Sequence, residues 1–460
     1  MEKYIKKLKG EGMMETKLIS QSVVFKILIV LFLTLLLLIP AYMIEALVRE
    51  RQYRKSTVVS EITEKWGQKQ IIGGPVLTVP YDEIYRDEHG QLRTRSRYAC
   101  FLPDSLKITG DIHPEIRYRS IYNTVVYGTD LRMEGELKQP EVEKLNIRRE
   151  DMRWEDAFLV IAITDMAGIR EQIYVNINGE DRNVSPGTKI MDIFSSGVHV
   201  EYPVDLNKPV RFSLKLKLNG SQELKLYPLG RETQVILESD WKNPSFLGKF
   251  LPVEREISDS GFKARWEVIN LNRNYPQQWT DLDSSNIRIN IGNSAFGVNL
   301  LQTVDLYQKT TRSIKYAIMF IGMTFLVYFI IEILNKYNIH PIQYTLVGFS
   351  LVVFYLLLLS LSEHIHFWFA YVIASISTIL LISLFTSAIL KEKKPAIIIA
   401  AFLSILYIFL YILLESQDYA LLLGSIGVFI TLAIFMYLTR NIDWYSIRLE
   451  EISPDKKDPE

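Results

Sequence analysis

The chain has 460 residues, 52 Lys and Arg against 52 Asp and Glu, one cysteine and 48% hydrophobic residues. The balanced charge gives no basic footprint for nucleic acid, and the single cysteine excludes an intrachain disulfide and every multi-cysteine zinc or iron–sulfur site. Because the apolar residues are concentrated near the N-terminus and in the last third, the composition predicts an integral membrane protein with one large water-exposed domain.

The first apolar segment, residues 23–48, is predicted to be a transmembrane helix. Its sequence is VVFKILIVLFLTLLLLIPAYMIEALV, long enough to cross a hydrocarbon core of about 30 Å. A cleaved secretory signal has a shorter apolar core and a small-x-small cleavage site, so we interpret the segment as an uncleaved anchor. Residues 1–22 are rich in lysine, and the positive-inside rule predicts that this tail is cytoplasmic.

Residues 49–313 are predicted to fold outside the membrane as a large, mainly-β, sandwich-like periplasmic domain. The clearest strand is 210–218, where apolar side chains alternate with Arg211, Ser213, Lys215 and Lys217. The other predicted strands are 76–81, 99–102, 106–111, 121–137, 157–164, 172–178, 198–202, 223–227, 233–239, 262–269 and 287–291. Only the beginning is predicted to be helical, as a stalk that continues the first span and ends at Gly67.

Residues 314–438 are predicted to form a C-terminal bundle of five transmembrane helices. The apolar runs are about 316–334, 342–361, 367–390, 396–414 and 419–438. With the N-terminus inside, the two inner loops contain Lys336, Lys391, Lys393 and Lys394, whereas the short outer loops contain no Lys or Arg. The sequence therefore predicts six spans in a bacterial inner membrane, with both termini, including the tail 439–460, in the cytoplasm.

Five stretches carry a family resemblance. They are YRSIYNTVVYGTDLRMEGEL (118–137), SDWKNPSFLGKFLP (239–252), WEVINLNRNYPQ (266–277), SAFGVNLLQTVDLYQKTTRSIKYAIMFIGMTF (294–325) and HPIQYTLVGFSLVVFYLLLLSLSEHIHFWFAY (340–371). Together they closely resemble the CreD family of bacterial inner-membrane, or cell envelope integrity, proteins. The resemblance implies expression under a two-component envelope-stress and carbon-source response, and an effect on tolerance to colicins or β-lactams. It implies no catalytic residues, because none is established for the family.

Catalytic and cofactor signatures are absent from the sequence. There is no GxSxG, HExxH, Walker A or Rossmann glycine motif, so we predict no catalytic residue and no cofactor. Glu363, His364 and His366 are the closest set of potential metal ligands. Two histidines at i, i+2 in a short loop supply at most half of a zinc site, so we predict no metal and favour an interfacial loop.

His340 and Gln343 flank a predicted turn at the cytoplasmic face. Pro341 is favoured at the first position of a helix, and both polar side chains can bond to free helix-end groups, which makes capping our preferred interpretation. The alternative is a polar cluster that grips a lipid head group or another protein.

Glu332 lies near the end of the second predicted span. A carboxylate buried there needs a partner, and Lys336 is available at i, i+4. The alternative is a proton relay. The candidates for a functional polar cluster are thus His340, Gln343, Glu332, Glu363 and His364.

Three functions are compatible with this sequence. The first is a non-catalytic envelope-stress or integrity protein that acts through contacts of its β domain and bundle with membrane lipids, envelope proteins or cell-wall material. The second is a transporter or lipid-handling protein that uses the bundle. An enzyme is the third and least favoured, because no catalytic constellation is present.

Overall fold

The computed structural model describes residues 23–87, 89–206, 208–300, 306–335, 337–416 and 419–440. It divides into two compact units: the helical unit is Met1–Arg54 with Asp305–Glu460, and the β unit is Lys55–Val304. The predicted tail 1–22 and almost all of the tail 439–460 lie outside the described residues.

The fold combines helices and strands, in agreement with the predicted class. The helices are α1 (Val23–Trp66), α2 (Ser284–Asn293), α3 (Leu306–Lys315), α4 (Ala317–Leu334), α5 (Pro341–Ser362), α6 (Phe367–Leu390), α7 (Lys393–Glu415) and α8 (Ala420–Thr439). The strands are β1 (Gln70–Arg86), β2 (Leu92–Phe101), β3 (Ser105–Arg119), β4 (Tyr122–Leu137), β5 (Phe158–Ile163), β6 (Tyr174–Ile177), β7 (Glu180–Asn183), β8 (Ser185–Pro186), β9 (Gly197–Glu201), β10 (Val210–Ser221), β11 (Glu223–Leu226), β12 (Glu232–Ser239), β13 (Pro244–Gly248), β14 (Glu254–Ser258), β15 (Gly261–Ile269), β16 (Gln278–Thr280) and β17 (Phe296–Leu300).

Over the described residues, five helices are long and apolar enough to cross a membrane: α1, α4, α5, α6 and α7. The apolar stretch described in α8, Leu422–Ile434, is shorter. The sixth span therefore stays a prediction.

In the helical unit, α1 packs against other helices along one stripe. Leu33, Leu37, Ala41 and Val48 are buried, at spacings that keep them on one helical face. A Cβ atom on Gly348 of α5 would lie 2.1 Å from Cδ1 of Leu37, so the absence of a side chain at 348 lets the two helices approach closely. The first apolar helix is thus part of the packed helical unit.

Helix α3 precedes the second predicted span and was not predicted. Its sequence LYQKTTRSIK is polar, but Tyr307, Thr310, Ser313 and Ile314 are buried at helical spacing. Hydropathy averaged along the sequence does not reveal such a segment, because its buried side chains are confined to one face of the helix.

The β unit consists of two sheets around one hydrophobic core. One sheet has the order β13-β17-β11-β1-β5-β9-β8, with β2 paired to β1 and β16 to β2; the other has the order β14-β15-β12-β3-β4-β10-β6-β7. Both contribute to a continuous cluster of buried side chains, in which Trp266 and Trp279 are among the largest. Most neighbouring strands are antiparallel, but β1 pairs with β11 and β3 with β12 in parallel.

Strand β10 has the predicted alternation. Val210, Phe212, Leu214, Leu216 and Leu218 are buried, and the residues between them face outward. Its pairing with β4 extends over twelve positions, from Val210 opposite Leu137 to Ser221 opposite Val126. A long ladder of this kind explains why the period-2 pattern is so clear in this segment.

The strand predicted at 287–291 is wrong, because these residues belong to α2. Ile287 and Ile291 are buried and Ile289 is 60% exposed. The first and last isoleucines of an Ile-x-Ile-x-Ile sequence are at i and i+4, so they share one face of a helix as well as one face of a strand. Their burial therefore fits both structures. The exposed middle isoleucine distinguishes the helix from the strand.

The stalk predicted after the first span is helical, and α1 continues to Trp66. The guanidinium of Arg117 lies 3.9 Å from the centre of the Trp66 ring, and Trp66 Nε1 donates to the carbonyl of Tyr127. Gly67 follows with φ +144°, and a Cβ atom there would lie 2.6 Å from the Asn219 carbonyl oxygen. Glycine is therefore required where the helix ends.

Candidate functional site

Glu332, at the end of α4, is the most buried candidate, with 4% of the residue exposed. Lys26 of α1 reaches it, with Nζ 2.6 Å from Oε1. Tyr344 of α5 donates its hydroxyl to Oε2 at 2.8 Å, and the backbone N–H of Ile339 donates to Oε1 at 3.2 Å. The carboxylate thus joins three segments through one ion pair and two hydrogen bonds.

The described ion pair joins Glu332 to a residue far away in the chain. The expected partner at i, i+4, Lys336, lies outside the described residues, whereas Lys26 is 306 positions away in the chain. A local pair holds only its own helix together, but the pair with Lys26 attaches α1 to the α4–α5 turn. No spacing rule on a single helix finds such a partner.

His340 and Gln343 cap the beginning of α5. His340 Nδ1 accepts from the N–H of Ile342 at 3.3 Å, and Gln343 Oε1 accepts from the N–H of His340 at 3.0 Å. Pro341 occupies the first helical position. This is a reciprocal capping box, and it engages the histidine nitrogen and the amide oxygen in helix-end bonds, as the preferred interpretation predicts.

Glu363 lies at the other end of α5, where its side chain is 8% exposed. Tyr307 of α3 donates to Oε1 at 3.0 Å, and Nε of Arg51 on α1 lies 3.9 Å from the same oxygen. Arg51 precedes the β unit in the chain and Tyr307 follows it. One carboxylate oxygen therefore contacts both segments that connect the helical unit to the β unit.

The two histidines beside Glu363 make local bonds. Nδ1 of His364 lies 3.0 Å from the carbonyl oxygen of Ser360, so this ring nitrogen donates. Nδ1 of His366 accepts from the N–H of Trp368 at 3.4 Å, at the start of α6. Each ring has one nitrogen committed to a helix end.

Helix α3 adds a second pair of contacts at this end of the unit. Lys309 Nζ lies 2.6 Å from Glu415 Oε1, and Arg312 donates to the carbonyl of Leu414 at 3.1 Å. A cation at the last carbonyls of α7 is favoured by the helix dipole.

The candidates form two groups rather than one. His340 and Gln343 lie at the first turn of α5, to which Glu332 at the end of α4 bonds through Tyr344, and Glu363 and His364 follow the last residue of α5. An α-helix of 22 residues is about 33 Å long, which separates the groups by roughly the thickness of a bilayer core. The described contacts of both groups join helix ends.

The most important partners of the two buried carboxylates were not predicted from the sequence. Lys26, Arg51, Tyr307 and Tyr344 each bond to a buried carboxylate but match no catalytic motif. One signal was available: Lys26 is a charged residue inside an apolar run, and such a residue needs a partner.

Known proteins resemble this chain over nearly its whole length. The sequence model of the family described as "CreD: Inner membrane protein CreD" matches residues 22–445. The "Inner membrane protein CreD" of Escherichia coli (strain K12) is 35% identical over 428 residues, which cover 92% of this chain and 94% of that protein. The extended match includes α1, both sheets and the apolar helices, and on this basis the chain belongs to the CreD family of inner membrane proteins.

Proposed function

We propose that this CreD-family protein is a non-catalytic inner-membrane protein that supports envelope integrity under stress, acting through contacts of its β unit and its membrane helices. Its β unit is periplasmic, and both termini are cytoplasmic. Its partners are membrane lipids and either envelope proteins or cell-wall material. The link to a two-component stress response and to colicin or β-lactam tolerance rests on the family resemblance.

One observation carries the non-catalytic part of this proposal. Among the described residues, every candidate polar side chain of the helical unit already bonds to a helix end or a neighbouring helix. A general acid or a nucleophile needs a free position within hydrogen-bond reach of a substrate. Side chains committed to holding helices together support a contact role.

The orientation is supported by the lysines of the short turn between α6 and α7. Lys391 lies in this turn, Lys393 and Lys394 begin α7, and all three are exposed. Short basic loops stay in the cytoplasm. In a Cys100→Ser background, a cysteine at exposed Asp259 of the β unit should react with a membrane-impermeant thiol reagent in spheroplasts, and a cysteine at Glu392 should not. The reverse pattern would overturn the orientation.

The contact role is tested by rescue of a deletion strain under envelope stress, normalised to the amount of protein in the membrane. Glu332→Gln and Glu363→Gln keep the shape of each side chain and remove its charge. If the carboxylates hold helices, rescue per molecule stays unchanged even where abundance falls. A relay or an active site predicts the opposite, because loss of one acid typically lowers activity by about 100-fold or more at normal abundance.

The alternative, a transporter or lipid-handling protein, is favoured by buried hydroxyls in the helical unit. The side-chain oxygens of Tyr355 in α5 and of Ser375 and Ser383 in α6 have no hydrogen-bond partner among the described residues. A bound molecule with a polar group near Tyr355 would satisfy such a hydroxyl. Tyr355→Phe distinguishes the two functions: the contact role predicts full rescue, whereas a cargo site at Tyr355 predicts lost rescue at normal abundance.

A further inference from the structure

Arg273 is buried in the β unit without a charged partner. The residue is 6% exposed, and its Nε and Nη1 atoms have no hydrogen-bond partner among the described residues. Its Nη2 donates to Oε1 of Gln277. A guanidinium carries five N–H donors, so most of its hydrogen-bonding capacity is unused.

The groups around Arg273 are occupied elsewhere. The Tyr275 ring faces the guanidinium, with its centre 4.6 Å from Cζ, and its hydroxyl donates to the Pro228 carbonyl at 2.8 Å. The amide nitrogen of Gln277 donates to the carbonyls of Leu102 and Pro103 at 3.1 and 2.7 Å. These bonds fix both neighbours in position, and neither supplies a negative charge.

The segment from residue 270 to 277 connects β15 to β16 and contains Arg273. After the 3-10 turn Asn270–Asn272, Arg273 and Tyr275 are buried, while Asn274 and Pro276 are exposed. The alternation directs the two long side chains of Arg273 and Tyr275 toward the interior of the β unit. The same residues lie in the stretch WEVINLNRNYPQ that carries part of the family resemblance, and the proposed function assigns them no role.

The local electrostatics favour an anion. Burial lowers the pKa of Arg273, the neighbouring Tyr275 partly offsets this by raising the pKa, and the like charge of Arg231 lowers it again by less. Arg231 is already paired, because its Nε donates to Asp104 Oδ1 at 3.1 Å, so that carboxylate is committed. The side chain of Arg231 is 46% exposed, so water screens its charge. The charge of Arg273 is buried and has no carboxylate partner among the described residues.

An unpaired buried charge is among the least favourable features a fold can contain. Native proteins resolve it with a counter-ion, a bound group or ordered water, and an orphaned buried donor marks the location of such a group. A guanidinium matches the planar, paired oxygens of carboxylates and phosphates.

We propose that Arg273 binds a small oxyanion beneath the 270–277 loop, through the N–H groups of Nε and Nη1. The chemistry shared by its possible sources is a carboxylate or phosphate oxygen. This site lies in the β unit and does not depend on the contact role of the membrane helices.

The test uses the full chain purified in detergent, with thermal unfolding followed by tryptophan fluorescence. Inorganic phosphate and acetate are added in separate titrations at constant ionic strength. At about 100 times Kd, binding to the folded state should raise Tm by about 5 °C. A response to acetate alone identifies a carboxylate site, and a response to phosphate alone identifies a phosphate site.

Three variants distinguish a specific site from a general salt effect. Arg273→Gln should abolish the rise in Tm, whereas Arg255→Gln, at an exposed arginine of β14, should keep it. Gln277→Glu places a carboxylate beside Arg273 and should also abolish the response, which keeps the proposal testable if Arg273→Gln does not fold. An equal rise in wild type and Arg273→Gln, or no rise in wild type with either anion, would overturn the proposal and assign the donors to water.

Discussion

Glu332 in the helical unit and Arg273 in the β unit are both almost completely buried, 4% and 6% exposed, but their surroundings differ. Glu332 receives a lysine, a tyrosine hydroxyl and a backbone N–H from this chain. Among the described residues, Arg273 receives one amide oxygen and the face of the Tyr275 ring, and no carboxylate. The cost of removing a charge from water has to be offset in either case. Glu332 is neutralised by residues of this chain, whereas Arg273 requires a bound anion.

The most severe test of this comparison removes the partner of Glu332. Lys26→Met leaves a buried carboxylate without its cation, and we expect a loss of about 3 to 5 kcal/mol in stability, measured as membrane abundance and thermal unfolding in detergent. The double variant Lys26→Met with Glu332→Met should recover most of the loss, because both charges are gone. Wild-type stability of Lys26→Met alone would contradict the described ion pair.

The packing of α1 against α5 is tested at Gly348. An isoleucine there would overlap Leu37 Cδ1 and Phe325 Cζ, which a Cβ atom alone would approach to 2.1 and 2.9 Å. Overpacking of this kind costs about 1 to 3 kcal/mol. Gly322 is the matched control, since a Cβ atom there meets nothing within 4 Å, and Gly322→Ile should be well tolerated. Equal effects of the two substitutions would argue against close α1–α5 packing.

The bond between Tyr307 and Glu363 should contribute less. Tyr307→Phe removes a hydrogen bond to a carboxylate, for which we expect about 1.5 kcal/mol in thermal unfolding. Glu363→Gln should lower stability by a similar amount, and the double variant should cost less than the sum of the two, because both remove the same bond. Additive effects would mean that the two side chains do not interact.

Cys100 gives a pH-dependent effect in the β unit. Burial raises the pKa of this thiol to about 12, from 9.0 for an unperturbed thiol. A raised native pKa means that the folded state binds the proton more tightly, so stability is full below pH 9 and falls as the pH rises toward 12. At pH 10 the loss should be about 1.4 kcal/mol. The stability of Cys100→Ala should lack this component, and an identical pH profile would refute it.

The smallest effect is expected at His364. Its ring makes one bond to the Ser360 carbonyl at an exposed helix end. We expect His364→Ala to change stability by less than about 0.5 kcal/mol and to leave rescue of a deletion strain intact. Complete loss of rescue at normal abundance would give this residue a direct role in function.

Much of the fold follows from patterns that repeat along the chain. Strand β10 was predicted from strict alternation, because one of its faces is buried and the other is exposed. The stalk was predicted from a helical stripe that stops at Gly67. Strand β14 was missed, since all five of its residues are exposed at a sheet edge and show no alternation. Helix α2 was mistaken for a strand because three isoleucines at every second position fit both periods.

The candidate site was predictable only in part. The caps at His340 and Gln343 depend on neighbours within three residues, so the sequence around Pro341 was sufficient. The partners of Glu332 and Glu363 come from α1 and α3, which lie far away in the chain. A buried carboxylate indicates that a partner exists, but only the packing of the helices identifies that partner.

The sequence by itself determined that this protein has apolar helices at both ends of the chain, a β-rich region between them and no motif for catalysis. Those features depend on local periodicity and on hydropathy, which are properties of each segment by itself. The tertiary structure decided which charges meet: Lys26 with Glu332, Arg51 and Tyr307 with Glu363, and Arg273 with no counter-charge among the described residues. The physical reason is that burial and ion pairing depend on distances between segments that are remote in the chain.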